Sequence, residues 1–161
     1  MVAEAELPSA LGQAGASNVA VGDSIISTRL RDGIELMRAR FSGRAFARHR
    51  HDTYNICLTD HGLQGFNYRG AAQPSEPGQV IVMHPDEPHD GHALTSAGFG
   101  YRSVNVAPER IADAAAALCG RSVPLPFAQE PVSANGSLAG ALTGAFESLS
   151  TEPEPLAITE L

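Results

Sequence analysis

Three histidines are the residues of this sequence whose types and spacing point most directly to chemistry. His49 and His51 are separated by one residue, and His89 lies in a second histidine-rich stretch further along the chain. Residues i and i+2 of a β-strand project from the same face, so the first two imidazoles are expected side by side. Three convergent imidazoles with an open fourth position suit zinc, nickel, copper or iron. These three residues are therefore candidate metal ligands, and His92 or Asn55 is a more distant candidate for a fourth.

A second interpretation of the same histidines needs no metal. Imidazoles on a half-polar barrel wall also serve as hydrogen-bonding groups of a ligand pocket, which combines an apolar wall with a few polar groups. The remaining histidines, His61, His84 and His92, are expected in turns or at the surface. Phe41 is a further candidate for the apolar wall of the pocket. The residues expected to bind the ligand are His49, His51, Tyr54, His89, Phe66, Tyr68 and Tyr101.

Two arginines bear on the charge of such a ligand. Arg38 and Arg40 lie in the extended stretch Ile34–Phe41, on the same strand face as Leu36. An inward-facing arginine would favour an anionic ligand, whereas exposure of both arginines would not. A shift of one residue in strand register exchanges the two faces, so the sequence leaves both alternatives open.

Short extended segments separated by turn residues have to position these side chains. Pro77 and Gly78 predict a type II turn, because proline fixes φ at its second position and glycine accepts a positive φ at its third. The series runs without an intervening helical pattern, which predicts an antiparallel barrel or sandwich. The predicted strands are 23–31, Ile34–Phe41, Phe46–His51, Tyr54–Thr59, Leu63–Arg69, Gln79–Met83, His89–Leu94 and Gly98–Val106.

The last third of the sequence predicts helices. Pro108 begins the first helix, and Gly120 is its expected C-cap. Residues 156–161 are expected to begin a third helix. The second helix is expected from about Ser133 to Ser150, with an apolar stripe that packs on the barrel or pairs with its copy in a two-fold dimer. The stripe consists of Leu138, Leu142, Phe146 and Leu149.

The whole sequence divides into three parts. These are a flexible arm at residues 1–22, a barrel at residues 23–107 and a helical segment at residues 108–161. Eighteen acidic residues against 11 basic ones give a net charge of −7, opposite in sign to the basic face that grips nucleic acid. Cys57 and Cys119 are expected to be buried free thiols. Since no apolar run reaches the length of about 20 residues that spans a bilayer, the sequence predicts a cytoplasmic protein without a membrane segment.

The histidines and turns together resemble a known pair of motifs. The His-x-His pair, the Pro-Gly turn, the apolar strand and His89 resemble the two motifs of the cupin superfamily. The resemblance implies a small antiparallel β-barrel, a double-stranded β-helix, whose interior carries the histidines. Metal-binding cupins usually place an acidic residue shortly after the His-x-His pair, whereas Asn55 and Ile56 occupy the matching positions here. This departure disfavours a catalytic iron or manganese centre and favours zinc or nickel as a bound divalent metal.

A larger resemblance, over roughly residues 32–106, is carried by the segments Gly33–Tyr54, Phe66–Gly70, Pro77–Gly91 and Tyr101–Ser103. These segments resemble the sensor domain of AraC-type transcription regulators. The resemblance implies a cupin-like effector-sensing domain, followed by helices that pair two subunits into a homodimer. The arm at residues 1–22 is then a candidate for folding over a bound small-molecule effector. DNA would be contacted only through a further domain with two helix-turn-helix motifs, which is absent from this chain.

Two functions from different classes follow. One is the sensing of an effector by a transcription regulator. The other is a small metal-dependent cupin enzyme, an oxygenase, isomerase or lyase that works through His49, His51 and His89. The missing acidic ligand and the helices after the barrel favour the sensor. A stand-alone metabolite-binding cupin is a third alternative.

Overall fold

Short antiparallel strands make up most of the structure. The computed structural model describes residues 22–150 and 157–158, so the predicted arm lies outside the described residues except for Gly22. The helices are α1 (Pro108–Cys119) and α2 (Gly136–Ser150). The strands are β1 (Ser24–Arg29), β2 (Ile34–Phe41), β3 (Arg44–His49), β4 (Tyr54–Gly62), β5 (Gln64–Tyr68), β6 (Ala71–Ser75), β7 (Val80–Met83), β8 (His89–Ala93), β9 (Phe99–Val106), β10 (Val132–Ser133) and β11 (Ala157–Ile158).

The strands form two sheets that face each other. Seven strands pair in the order β10-β7-β4-β9-β2-β1-β11, and four pair in the order β3-β8-β5-β6. Buried side chains from both sheets meet between them, with Met37 and Phe41 from the larger sheet and Phe66 and Tyr68 from the smaller one. The prediction of a mainly β, cupin-like antiparallel barrel followed by helices is confirmed.

Alternation along β2 defines the two faces of the larger sheet. Met37 and Phe41 belong to the interior core, while Leu36 packs on the outside. Arg38 and Arg40 share this outer face and are exposed. Exposure of both arginines is therefore the alternative that the structure shows, and neither brings positive charge into the barrel.

One end of the barrel is closed by a tight backbone crossing. Gly62 and Gly98 have positive φ values of 72° and 73°. A Cβ on Gly62 would lie 2.0 Å from the carbonyl oxygen of Gly98, and a Cβ on Gly98 would lie 2.3 Å from that of Phe41. Only glycine fits such positions. The rings of Phe41 and Phe99 pack inside this end with centroids 5.7 Å apart, so the interior there is filled.

Helix α2 packs on the outer face of the larger sheet. Leu142 and Phe146 are buried in a second core with residues such as Leu36. The guanidinium groups of Arg38 and Arg102 lie 4.8 and 5.7 Å from the centroid of the Phe146 ring, a cation–π arrangement. The apolar stripe thus contacts its own barrel, and pairing of two subunits stays a prediction. Neither described helix is long and apolar enough to cross a membrane.

The start of α2 differs from the prediction because the residues before it join the larger sheet. Val132 and Ser133 pair with β7 as β10 instead of beginning the helix. The helix is capped by Asn135, whose side-chain oxygen accepts hydrogen bonds from the backbone nitrogens of Ser137 at 2.9 Å and Leu138 at 3.1 Å. This is the usual role of asparagine at an N-cap.

Two further predictions about the C-terminal part and the cysteines are wrong. Residues Ala157–Ile158 form a strand rather than the start of a third helix, because they pair with the backbone of β1. Cys119 is exposed, since none of the residues of α1 is buried. Cys57 is buried, and both thiols are free, as expected. Helix α1 and its left-handed C-cap, Gly120, are confirmed.

Candidate functional site

Three imidazoles meet on the inner wall of the barrel. His49 ends β3 and lies opposite His89 of β8, while His51 follows shortly after β3. The ring centroids of His49 and His89 are 4.4 Å apart, and those of His51 and His89 are 4.8 Å apart. One potential ligand nitrogen from each residue lies within 4.8 Å of the others. The structure therefore brings together the three histidines that the sequence singles out.

Backbone carbonyls orient all three rings in the same way. Nδ1 of His49 lies 2.8 Å from the carbonyl oxygen of Ala47, and Nδ1 of His51 lies 2.9 Å from that of Thr53. Nδ1 of His89 lies 2.9 Å from the carbonyl oxygen of its neighbour two residues back. A carbonyl oxygen only accepts, so each Nδ1 carries the hydrogen. Each Nε2 is then the nitrogen that is free to bind a ligand or metal.

Burial keeps two of these rings uncharged. The pKa of His89 is lowered to about 4, mainly by desolvation; the neighbouring imidazoles of His49 and His51 also lower it, and a backbone hydrogen bond raises it. Desolvation also lowers the pKa of His51. Both residues are therefore neutral near pH 7, with a lone pair on Nε2. Neutral imidazole is the form that binds a metal ion or accepts a hydrogen bond.

A row of polar side chains crosses the larger sheet beside the histidines. Glu35, Asn105 and Asn55 stand opposite one another on β2, β9 and β4. The amide of Asn55 donates to Asn105 Oδ1 at 2.7 Å, and the amide of Asn105 donates to Glu35 Oε2 at 3.1 Å. Glu35 is only 8% exposed. Asn55, at the position where metal-binding cupins usually have an acid, thus belongs to a hydrogen-bonded chain along the wall.

The histidines and this polar row line one cavity of about 70 Å³. Met37, Cys57, Gln64 and Tyr101 line the part of the cavity nearer the filled end, and Asp90 also contributes. Burial raises the pKa values of the Cys57 thiol and the Tyr101 hydroxyl well above their usual range, so both stay protonated. No arginine is among the described residues that line the cavity.

The structure places the seven predicted binding residues in different environments. His49, His51, His89 and Tyr101 line the cavity. The other three do not, because their side chains are used elsewhere. Phe66 and Tyr68 are 0% and 1% exposed in the core, and the Tyr54 hydroxyl donates to the carbonyl oxygen of Pro126 at 3.0 Å. Sequence reasoning missed Glu35 and Gln64 among the cavity residues, because the sequence leaves open which face of each strand points inward.

The expectation for the remaining histidines is wrong at one position. His84 is buried, with ring nitrogens 2.9 Å from Arg69 Nη2 and 3.0 Å from the backbone nitrogen of Ala128. Burial and the charge of Arg69 lower the pKa of His84. His61 lies on the outside, where its Nε2 accepts a hydrogen bond from Arg40. Neither His61 nor His92 lines the cavity, so the structure does not place His92 as a fourth ligand.

Residues 121–131, between α1 and β10, form a segment named the strap. His84 is one of the residues that hold the strap against the barrel. Arg69 pairs with Glu87 at 2.5 Å and donates to the carbonyl oxygens of Ala128 and Gln129 at 3.0 and 3.3 Å. Its guanidinium also lies 4.4 Å from the centroid of the Phe127 ring. The strap is therefore fixed to the barrel wall next to the strand that carries His89.

Comparisons with known proteins give a family. The model of the AraC-like ligand binding domain matches residues 33–161. No curated protein sequence matches the chain.

Solved structures that match this chain share little sequence with it. A conserved protein of unknown function from Streptococcus pyogenes is 21% identical over 54% of this chain and 77% of its own, with a TM-score of 0.47. Oxalate decarboxylase from Bacillus subtilis is 14% identical over 71% of this chain and 37% of its own, with a TM-score of 0.49. The cupin domain of an XRE family transcriptional regulator from Enterobacter cloacae is 14% identical over 53% of this chain and 98% of its own, with a TM-score of 0.45. The assignment therefore rests on the family model: the chain belongs to the family of AraC-like ligand binding domains.

Proposed function

We propose that this chain is the sensor domain of an AraC-type transcription regulator, and that it binds a small-molecule effector in the barrel cavity. The observation that carries the proposal is the convergence of three imidazoles, from His49, His51 and His89, on a cavity within a domain of this family. Their rings are fixed by backbone carbonyls, so the site is organised before a ligand arrives. Preorganised polar groups reduce the entropy cost of binding.

The same three histidines fit a divalent metal. Their donor set is neutral imidazole nitrogen without a carboxylate, which suits zinc or nickel better than calcium or magnesium. A bound ion would supply a Lewis-acidic position to which an oxygen or nitrogen of the effector binds. The histidines alone would otherwise accept hydrogen bonds from the effector.

The proposal also covers the dimer contacts, the DNA-binding part and the N-terminal arm of the regulator. The helical segment at residues 108–161 would pair two chains into a homodimer, and α1 offers a surface for this because none of its residues is buried and Leu118 is 89% exposed. DNA would be bound by a separate helix-turn-helix domain, in keeping with the acidic charge of this chain. Residues 1–22 would serve as the arm over the barrel at residues 23–107, and the protein would work in the cytoplasm.

A thermal-shift experiment tests the site. The chain is stripped with EDTA and melted with ZnCl₂, NiCl₂ or CaCl₂, and then with a metabolite library in the presence and absence of zinc. Zinc, nickel and at least one metabolite should raise the melting temperature by mass action, and calcium should not. His89→Ala should abolish these shifts, whereas His92→Ala, on the same strand outside the cavity, should keep them. Equal shifts in both variants would contradict the proposed site.

A metal-dependent cupin enzyme is the second candidate, because the three-histidine cluster also resembles a catalytic metal site. Elemental analysis and oxygen uptake discriminate the two functions. Stoichiometric iron or manganese in the purified chain, with oxygen consumption on a metabolite that binds, would favour the enzyme. Binding of that metabolite without turnover would favour the sensor.

A further inference from the structure

A buried carboxylate lines the cavity without a close cationic partner. Glu35 is 8% exposed and shares the cavity lining with the three histidines. One of its oxygens accepts a hydrogen bond from the amide of Asn105, and the ion pair described for the other oxygen is with Arg29. Nε of Arg29 lies 3.8 Å from Glu35 Oε1, and the Arg29 side chain is 46% exposed. Such an exposed pair contributes little, so Glu35 lacks the close partner that a buried charge normally has.

Strand register places Glu35 on the inner face of the larger sheet. Glu35 stands opposite Asn105, which in turn stands opposite Asn55, so the three side chains form one row across the sheet. Met37, two residues after Glu35 on β2, belongs to the interior core, and residues i and i+2 of a strand share a face. Glu35 is not a member of the three-histidine cluster. A metal ion bound by the histidines would therefore leave this carboxylate to another group.

The second acidic residue of the lining has its carboxylate on the other side of the wall. Asp90 follows His89 on β8, and successive residues of a strand point to opposite faces. The carboxylate oxygens of Asp90 accept hydrogen bonds from the backbone nitrogen and the side-chain amide of Asn67, both at 2.8 Å, and Asn67 is exposed. Among the described residues that line the cavity, Glu35 is thus the one whose carboxylate points inward.

The cavity lining holds no lysine or arginine to balance this carboxylate. The sequence contains no lysine, and no arginine is among the described lining residues. An anionic ligand would face the negative charge of Glu35 without a cation between them. A cationic ligand would supply the missing partner, and its attraction to a buried carboxylate is stronger than it would be in water, because solvent and salt screen it less.

We propose that the cavity selects an effector with a protonated amine, which donates a charge-assisted hydrogen bond to Glu35. This inference rests on the proposed function and narrows its ligand class to organic ammonium ions. The amine takes the place of the distant guanidinium of Arg29 as the partner of Glu35 Oε1. Hydrogen bonds to a charged acceptor are stronger than those between neutral groups, so the charge of the ligand contributes directly to its affinity.

Two methionines can report binding in the cavity. Met37 and Met83 both line it, so their ¹³C-labelled methyl groups should shift when a ligand enters. The chain is titrated in EDTA at pH 7 with benzylammonium, benzyl alcohol and benzoate, which share a phenyl ring and differ in charge. EDTA removes any metal that would attract benzoate to the histidines. The dissociation constant of benzyl alcohol divided by that of benzylammonium measures the amine preference, and this ratio should be about ten.

Glu35→Gln keeps the size of the side chain and removes its charge, so the ratio should fall about tenfold, to near one. Glu109→Gln, the same substitution in the exposed first turn of α1, lies outside the cavity and should leave the ratio unchanged. Arg29→Gln removes the competing cation and provides a second variant if Glu35→Gln fails to fold. It should raise the ratio about threefold, because an exposed ion pair no longer competes for the carboxylate.

The outcomes that overturn the proposal are distinguishable from failure of the effector site. A ratio near one in the unsubstituted chain, or an unchanged ratio in Glu35→Gln, would remove the amine preference while leaving the cavity as a ligand site. Benzoate binding as tightly as benzylammonium, or a lower ratio in Arg29→Gln, would do the same. If none of the three probes shifts the methyl groups of Met37 and Met83, the cavity binds no such molecule, and the proposed effector site fails as well.

Discussion

At the scale of single residues, backbone geometry rather than side-chain contacts determines what the three histidines offer. Each Nδ1 is held by a carbonyl oxygen two residues away in sequence, at His49, His51 and His89 alike. A local contact of this kind comes with the chain's own conformation and needs no distant partner. The convergence of Nε2 atoms is therefore built from three independent local arrangements and one strand pairing.

The buried side chain of Gln64 is expected to lower the free energy of unfolding of the ligand-free chain. Its unpaired oxygen is buried, and Leu has nearly the same volume without a polar atom. Gln64→Leu is expected to raise the free energy of unfolding by about 1 kcal/mol, measured by urea denaturation in EDTA. Gln73→Leu, in a half-exposed position, should change it by less than about 0.5 kcal/mol. A stability loss in Gln64→Leu larger than in the control would show that the glutamine has a structural partner.

Residue spacing predicted the histidine cluster because the His-x-His pair and the opposing strand are both readable in the sequence. Glu35 and Gln64 could not be assigned in the same way. Their roles depend on which strand face points inward, and a shift of one residue in register reverses that. The burial of His84 could not be predicted from the sequence either, because it results from contacts with the strap, more than forty residues away in sequence.

At the scale of elements, Arg69 makes several of the contacts that hold the strap, beside the hydrogen bonds of His84 and Tyr54. Arg69 binds Glu87, two strap carbonyls and the faces of Tyr68 and Phe127. Substituting Met keeps much of the apolar stem and removes the charge and its hydrogen bonds. Arg69→Met is expected to cost about 2 kcal/mol of stability and to speed hydrogen exchange at Ala128.

Arg48→Met is the matched control for this substitution, because Arg48 is exposed on β3 of the four-stranded sheet and makes none of the strap contacts described for Arg69. It should leave both stability and exchange nearly unchanged. Slow exchange at Ala128 in Arg69→Met would show that the strap is held by other contacts.

The attachment of α2 depends on its apolar stripe. Phe146 is 3% exposed and packs under two guanidinium groups on the outer face of the barrel. Phe146→Ala is expected to cost about 3–5 kcal/mol in the free energy of unfolding, because it leaves a cavity in the second core. Leu138→Ala, at a position 38% exposed, should cost much less. Equal losses would mean that the two positions are buried alike, for example in a subunit interface.

Periodicity predicted these elements well where the pattern is local. The alternation of β2, the Pro108 start of α1 and the stripe of α2 are all present. Periodicity did not predict the strands at residues 132–133 and 157–158, because each short segment is a strand only through its pairing with β7 or β1. Two-residue strands carry no periodicity of their own, so the sequence holds no signal for them.

At the scale of the whole molecule, the histidine-lined cavity and the outer helix are joined by contiguous contacts. Nδ1 of His89 lies against the carbonyl of Glu87, whose carboxylate pairs with Arg69. Arg69 holds the strap at Ala128, and the strap continues through β10 into α2. A ligand at His89 would act on the helix to the extent that it binds two arrangements of this chain of contacts with different affinity.

The central claim is that the free Nε2 atoms of His49, His51 and His89 converge on a ligand site, and ring ¹⁵N NMR of the chain tests it directly. In the metal-free chain at pH 7, these three of the six histidines should show the Nδ1–H tautomer. Addition of ZnCl₂ should shift their Nε2 resonances together. An Nε2–H tautomer at any of the three, or a zinc response confined to the other histidines, would contradict the account.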